Sequence, residues 1–128
     1  GEDLIKGEVV LEKGHKLTPR DVPLIASLGL AEINVYRKLK VAVISSGDEL
    51  KNLGESLKEG DIFDSNRYAI MELLSRLNVE IIDFGIIADD LSLIRETIKK
   101  ADQQADVVIT SGGVSVGEAD FIKDVLEE

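Results

Sequence analysis

Three short stretches of this chain carry side chains and backbone patterns suited to chemistry. They are Ser46-Gly47-Asp48-Glu49, Asp89-Asp90, and the run from Ser111 to Asp120, which reads Ser-Gly-Gly-Val-Ser-Val-Gly-Glu-Ala-Asp. In the third, Gly112, Gly113 and Gly117 let the backbone turn sharply and present N–H groups outward, flanked by Ser111 and Ser115. Glu118-Ala119-Asp120 then opens a helix. A glycine loop feeding a helix N-terminus binds anions, because unpaired amides and the helix dipole point the same way. The carboxylates in the same place suit a divalent cation that bridges to such an anion. The glycine spacing is not that of a dinucleotide fingerprint, and the Lys-Ser/Thr pair of a phosphate-binding P-loop is missing.

Each stretch also has a plainer reading. A glycine run is often only a strand–helix turn. Asp48 and Glu49 read singly as solvated loop acids, and Asp89, Asp90 and Asp120 as helix caps or dipole partners. The collection argues against that reading: several carboxylates on one edge repel one another, and a bound cation relieves the repulsion. Asp64-Ser65-Asn66-Arg67 combines a capping motif, with Ser65 or Asp64 as the cap, with two side chains, Asn66 and Arg67, able to reach a phosphate or a nucleobase. His15 is isolated. With no Cys and one remote His, a nucleophilic triad is excluded as a working reading.

The elements that must position these groups are alternating strands and helices. Val41-Ala42-Val43-Ile44-Ser45 is a continuous apolar strand, as expected of one covered on both faces. Ile70, Leu73, Leu74 and Leu77 stand at i, i+3, i+4 and i+7 and predict a helix running to about Asn78. Val79 to Ile87 is a second strand. Leu91, Ile94, Ile98 and Ala101 mark a second helix opened by Asp89-Asp90. Val107-Val108-Ile109 leads into the glycine loop as a third strand, followed by a helix carrying Phe121, Ile122, Val125 and Leu126. Strands separated by helices predict a parallel sheet with right-handed crossovers and all strand C-termini on one edge. If the second strand lies outside the first, the order reverses between the first and third strands. Ligands of open α/β sheets bind at such a reversal. Lys51 to Asp61 is one long loop.

Residues 1–37 differ. Gly7 and Gly14 punctuate short apolar pieces, which predicts turns and short strands. Thr18-Pro19 predicts a helix start, with Asp21 bonding back from the first turn and Gly29 ending the helix. Ile33 to Tyr36 is expected to be a short strand. The predicted organisation is an N-terminal appendage over residues 1–37, part of a neighbouring domain, and an α/β domain from 38 to 128 with a three-layer α/β/α build and a mostly parallel sheet.

The chain has 128 residues, 25 acids against 15 bases and a formal net charge of −10. A nucleic-acid partner bound through a basic face is therefore not expected. Apolar runs are too short for a membrane span. The lack of Cys excludes disulfides and thiolate chemistry and fits a reducing cytoplasm. The start at Gly1 and the absence of a helix stop at Val125-Leu126-Glu127-Glu128 read as a piece of a longer protein, truncated at the C-terminus.

Ser45-Ser46-Gly47-Asp48-Glu49-Leu50, Asp64-Ser65-Asn66-Arg67, Gly85-Ile86-Ile87-Ala88-Asp89-Asp90 and Ser111 to Asp120 together closely resemble the molybdopterin molybdenumtransferase family, whose relatives include the E domain of gephyrin. The resemblance covers nearly the whole chain, four motifs in the family's order. It implies insertion of molybdenum from molybdate, a co-substrate, into adenylylated molybdopterin with release of AMP, assisted by Mg²⁺. It implies Glu49, Asp89 and Asp120 as catalytic and metal-holding acids. It further implies substrate binding by Ser46, Gly47, Asp48, Ser65, Asn66, Ser111, Gly112, Gly113, Ser115 and Gly117. A homo-oligomer, a dimer in the intact protein, is implied as well. The family continues with a lysine-containing segment for molybdate, and without it these residues are expected to bind pterin weakly at most and not to insert molybdenum. Molybdopterin adenylyltransferases, nucleotide pyrophosphatases of the competence-damage type and non-catalytic scaffolds share the fold and stand as alternatives.

Overall fold

The structure is a computed structural model and describes residues 4–112. Two compact units divide the chain, Gly1–Tyr36 and Arg37–Glu128.

The first unit is built from turns around one short helix, α1 (Asp21–Ser27). The expected back-bond is present: one Asp21 carboxylate oxygen accepts from the Thr18 N–H at 2.7 Å and from its hydroxyl at 3.1 Å. The helix nevertheless begins later than Thr18-Pro19 predicts, with Arg20 at the cap position. The same oxygen lies 2.9 Å from His15 Nε2, so His15 is partnered rather than isolated. These contacts, the Thr18 amide first and His15 second, hold the Asp21 carboxyl below its ordinary range. Gly29 ends α1 as predicted, its N–H donating to the Ala26 carbonyl at 2.9 Å. The expected strand at 33–36 is absent: those residues pair with no strand among the described residues. A strand needs a neighbour for its backbone groups, and apolar alternation cannot supply one.

In the second unit a three-stranded parallel sheet takes the order β4-β1-β5, with β1 (Leu39–Ser46), β4 (Val79–Ile87) and β5 (Val107–Ser111). β1 is the buried centre: Val41 to Ser46 are all buried. Its side chains alternate between two helices. Val41 and Val43 pack with Leu74, Ile70 and Met71 of α2 (Asn66–Ser75). Ala42 and Ile44 pack with Ala101 and Ile98 of α3 (Leu91–Gln104) on the opposite face. That is the three-layer arrangement, and it explains why β1 reads as an unbroken apolar run.

α2 departs from prediction in phase and length. Its inward stripe is Arg67, Ile70, Met71 and Leu74, whereas Leu73 and Leu77 are 63% and 59% exposed. The apolar periodicity of 70–77 thus marks a flank rather than the buried face, and the helix ends at Ser75. α3 follows prediction: the Asp90 carboxylate caps it by accepting from the Leu93 N–H at 3.0 Å, and Ile94 and Ala101 are buried. The loop predicted over Lys51 to Asp61 is closed at its ends by a small parallel ribbon, β2 (Leu50–Lys51) with β3 (Ile62–Phe63).

Candidate functional site

The parallel sheet brings the C-terminal ends of β1, β4 and β5 to one rim, and with β1 central the strand order reverses between β1 and β5. The predicted switch point is therefore where expected. Ser45 of β1 stands in register with Ser111 of β5, and Gly112 follows directly. Gly112 has φ +97°, and a Cβ there would collide with the Ser46 carbonyl oxygen. Only glycine allows β5 to leave the sheet this close to β1.

A cleft of about 140 Å³ opens at this point, lined by Glu49, Leu50, Ile62, Phe63, Asp64, Ser65, Asn66, Ser111 and Gly112. Residues far apart in sequence are brought together here: the acid after β1, the Asp-Ser-Asn segment before α2, and the start of the glycine loop. The β2–β3 ribbon positions the first two, since the Ile62 N–H donates to the Glu49 carbonyl at 2.8 Å and the Asp64 N–H to the Lys51 carbonyl at 3.0 Å. The Glu49 carboxylate folds back over Gly47, where a Cβ would stand 2.8 Å from both of its oxygens.

The other predicted acids form a second group on the same rim. Asp48 and Asp89 exchange backbone-to-carboxylate bonds: the Asp48 N–H donates to Asp89 Oδ2 at 3.2 Å, and the Asp89 N–H to Asp48 Oδ1 at 3.0 Å. Neither lines the cleft. Ser46 faces the α3 side, beside Ile44, Ile87, Ile94, Thr97 and Ile98. The hydroxyls of Ser45 and Ser46 are buried and have no hydrogen-bond partner among the described residues. Gly113, Ser115, Gly117 and Asp120 lie outside the described residues. Among the described residues no group of three or more His, Asp or Glu side chains gathers to hold a metal ion.

Ser65 does not cap α2 with its side chain. Asp64 accepts instead, from the Arg67 N–H at 3.4 Å. Arg67 is not free to meet a phosphate. It is 3% exposed, and its guanidinium donates to Asp64 Oδ2 at 2.8 Å, to both Asp83 oxygens at 2.7 and 2.6 Å, and to Asn52 Oδ1 at 3.2 Å. Burial opposes its charge, and the hydrogen bonds to Asp64 and Asp83 outweigh that, so its pKa rises further above the ordinary value. Asn52 and Asp83 were not among the predicted site residues. One signal in the sequence points to Asp83, a charge that interrupts an apolar strand, and none points to Asn52. A buried charge requires a partner.

A parallel α/β sheet with a cleft at its switch point, walled by a glycine turn, acids and the apolar side chains of Leu50, Ile62 and Phe63, is the build of a domain that takes a small ligand. The family described as "Probable molybdopterin binding domain" matches residues 42–128, and the chain belongs to it. The molybdopterin molybdenumtransferase of Haemophilus influenzae is 54% identical over all 128 residues, which span 32% of that protein. That of Nostoc is 40% identical over 120 residues, 94% of this chain and 28% of its own length. The crystal structure of the molybdopterin biosynthesis moeA protein from Pyrococcus horikoshii matches 98% of this chain at 37% identity with a TM-score of 0.80, this chain covering 31% of it. The chain thus spans about a third of the relatives it matches.

Proposed function

We propose that these residues form the pterin-binding part of a molybdopterin molybdenumtransferase, acting in molybdenum cofactor biosynthesis on adenylylated molybdopterin with molybdate as co-substrate and AMP as product. One observation carries the reading: the β1–β5 pairing and the β2–β3 ribbon join Glu49, the Asp64–Asn66 segment and the Ser111-Gly112 turn in one cleft. Similarity over the full chain to the Haemophilus protein supports it. The exposed donors Asn66 and Ser65 and the Gly112 turn would orient the ligand's phosphate region, while Leu50, Ile62 and Phe63 give the cleft an apolar wall. The donor set suits Mg²⁺, a hard cation that takes carboxylate oxygens and completes its shell with ligand phosphates and water. Asp89 accepts from the Asp48 amide through one carboxylate oxygen, and Glu49 stands on the same rim. Glu49 and Asp89, with Asp120, would hold the ion, which when bound neutralises phosphate charge. Cytoplasmic residence and a dimer of the longer protein belong to the same proposal. Among the described residues no helix is long and apolar enough to cross a membrane.

Because the relatives are about three times as long, we assign binding and positioning to these residues, and turnover to the longer protein. Titration calorimetry with adenylylated molybdopterin, molybdopterin, ATP and ADP-ribose, each with and without Mg²⁺, tests the reading. Adenylylated molybdopterin should bind best and in a Mg²⁺-dependent way. A preference for ATP would point to adenylylation instead, and one for ADP-ribose to a pyrophosphatase. AMP release by the 128 residues at the rate of a full-length relative would overturn the assignment of turnover elsewhere.

A further inference from the structure

Arg67 joins the two halves of the rim. On one side it holds Asn52, just after β2, and Asp64, in the cleft wall. On the other it holds Asp83, in the middle of β4. Asp83 lies at an irregularity in the sheet. Val43 pairs with Asp83 but Ile44 pairs with Gly85, so Phe84 is an extra residue and β4 bulges there. The Asp83 carboxylate closes the bulge by accepting the Gly85 N–H at 2.8 Å, with Gly85 at φ +74°.

A one-residue bulge reverses the faces of everything beyond it. Val79 and Ile81 pack with α2, yet Ile87, an even number of residues further on, packs with α3. The bulge also sets how far β4 reaches: Ile87 ends opposite Ser46, its carbonyl accepts from the Gly47 N–H, and two residues later Asp89 meets Asp48. Without the extra residue Asp89 would be displaced along the strand by about 3.3 Å, one residue's rise, and the Asp48–Asp89 exchange could not form.

We propose that Arg67 is a positioning residue of the ligand site: through Asp83 it locks the bulge that sets Asp89 against Asp48, and through Asn52 and Asp64 it fixes the cleft wall, so that one guanidinium holds both parts in a single register. The proposal rests on the ligand reading above, but its geometry can be measured without ligand. Asp83→Asn weakens the tie to the bulge and leaves the Arg67–Asp64 pair in place. Arg67→Lys keeps the charge and removes the fork that reaches three partners at once. Leu74→Ala, a cavity on the same helix that leaves Arg67 and its three polar partners in place, is the control for lost stability.

The readouts are the amide NMR shifts of Asp48, Gly85 and Asp89 and the affinity for adenylylated molybdopterin with Mg²⁺, all on the 128-residue chain. Asp83→Asn and Arg67→Lys should move the Asp48 and Asp89 amides and weaken binding by about 10- to 100-fold, the range seen when residues supporting a site's ligands are lost. Leu74→Ala should leave both readouts near wild type. Wild-type Asp48 and Asp89 amides in either folded variant, or an equal loss of affinity in Leu74→Ala, would overturn the proposal. If the parent chain binds no pterin ligand, the functional reading fails, and the amide shifts alone decide the role of Arg67.

Discussion

Replacing Gly112 by Ala perturbs the switch point with one methyl group. Its φ of +97° lies in the left-handed region, where an L side chain costs about 1–2 kcal/mol. The new Cβ would also strike the Ser46 carbonyl and lie 3.2 Å from its hydroxyl. Both belong to the buried end of β1, and overpacking at a buried site adds about 1–3 kcal/mol. The expected loss is therefore about 2–5 kcal/mol. For a unit of 60–100 residues each kcal/mol lowers the thermal midpoint by about 4–8 °C, so the midpoint should fall by at least about 8 °C. Gly85→Ala is the comparison, because its φ of +74° carries the same strain while the space around its Cβ is open. Its loss should stay near about 1–2 kcal/mol. Thermal unfolding followed by circular dichroism measures both. Equal midpoints for the two variants would show that the close approach of β5 to Ser46 does not constrain position 112, and the argument for the glycine would fail.

Leu74→Ala should cost about 2–5 kcal/mol in urea denaturation, whereas Leu73→Ala, one residue away but 63% exposed, should change stability by less than about 0.5 kcal/mol. Asp90→Ala should cost about 1 kcal/mol by the same assay, through loss of the α3 cap. The Asp106 carboxyl is held well below its ordinary range, first by the two hydrogen bonds from Arg37 and next by the Lys40 amide. A carboxyl lowered on folding stabilises the native state above its unfolded pKa of about 3.9, and that contribution disappears as pH falls toward the folded value. Wild type should therefore lose more stability than Asp106→Asn between about pH 5 and about pH 2, and parallel urea midpoints across that range would contradict the role of the pair.

β1 was legible because burial on both faces leaves a mark in composition, and Val41 to Ser45 admit few other readings; β4, none of whose residues is fully buried, was legible from the β-branched and aromatic run between Val79 and Ile87. The α3 start was legible because Asp90 is a local cap, acting within three residues. α2 was harder. Its leucines recur with helical spacing on a flank, and the residue heading the true inward stripe is an arginine, whose burial depends on Asp64, Asp83 and Asn52. Arg67 read as a possible phosphate contact for the same reason, since a side chain does not reveal that its donors are already engaged. The ribbon of β2 and β3 escaped notice because two-residue strands carry no periodicity.

Local pattern alone therefore established the alternation of strands and helices, the acids at strand ends and the glycine turn, since each depends on neighbours a few residues away. The order β4-β1-β5, the bulge at Phe84 and the separation of Asp48 and Asp89 from the Glu49 cleft arose only on folding. They depend on contacts between residues tens of positions apart, such as Arg67 with Asp83 and Asp48 with Asp89, and no short window of sequence contains both partners.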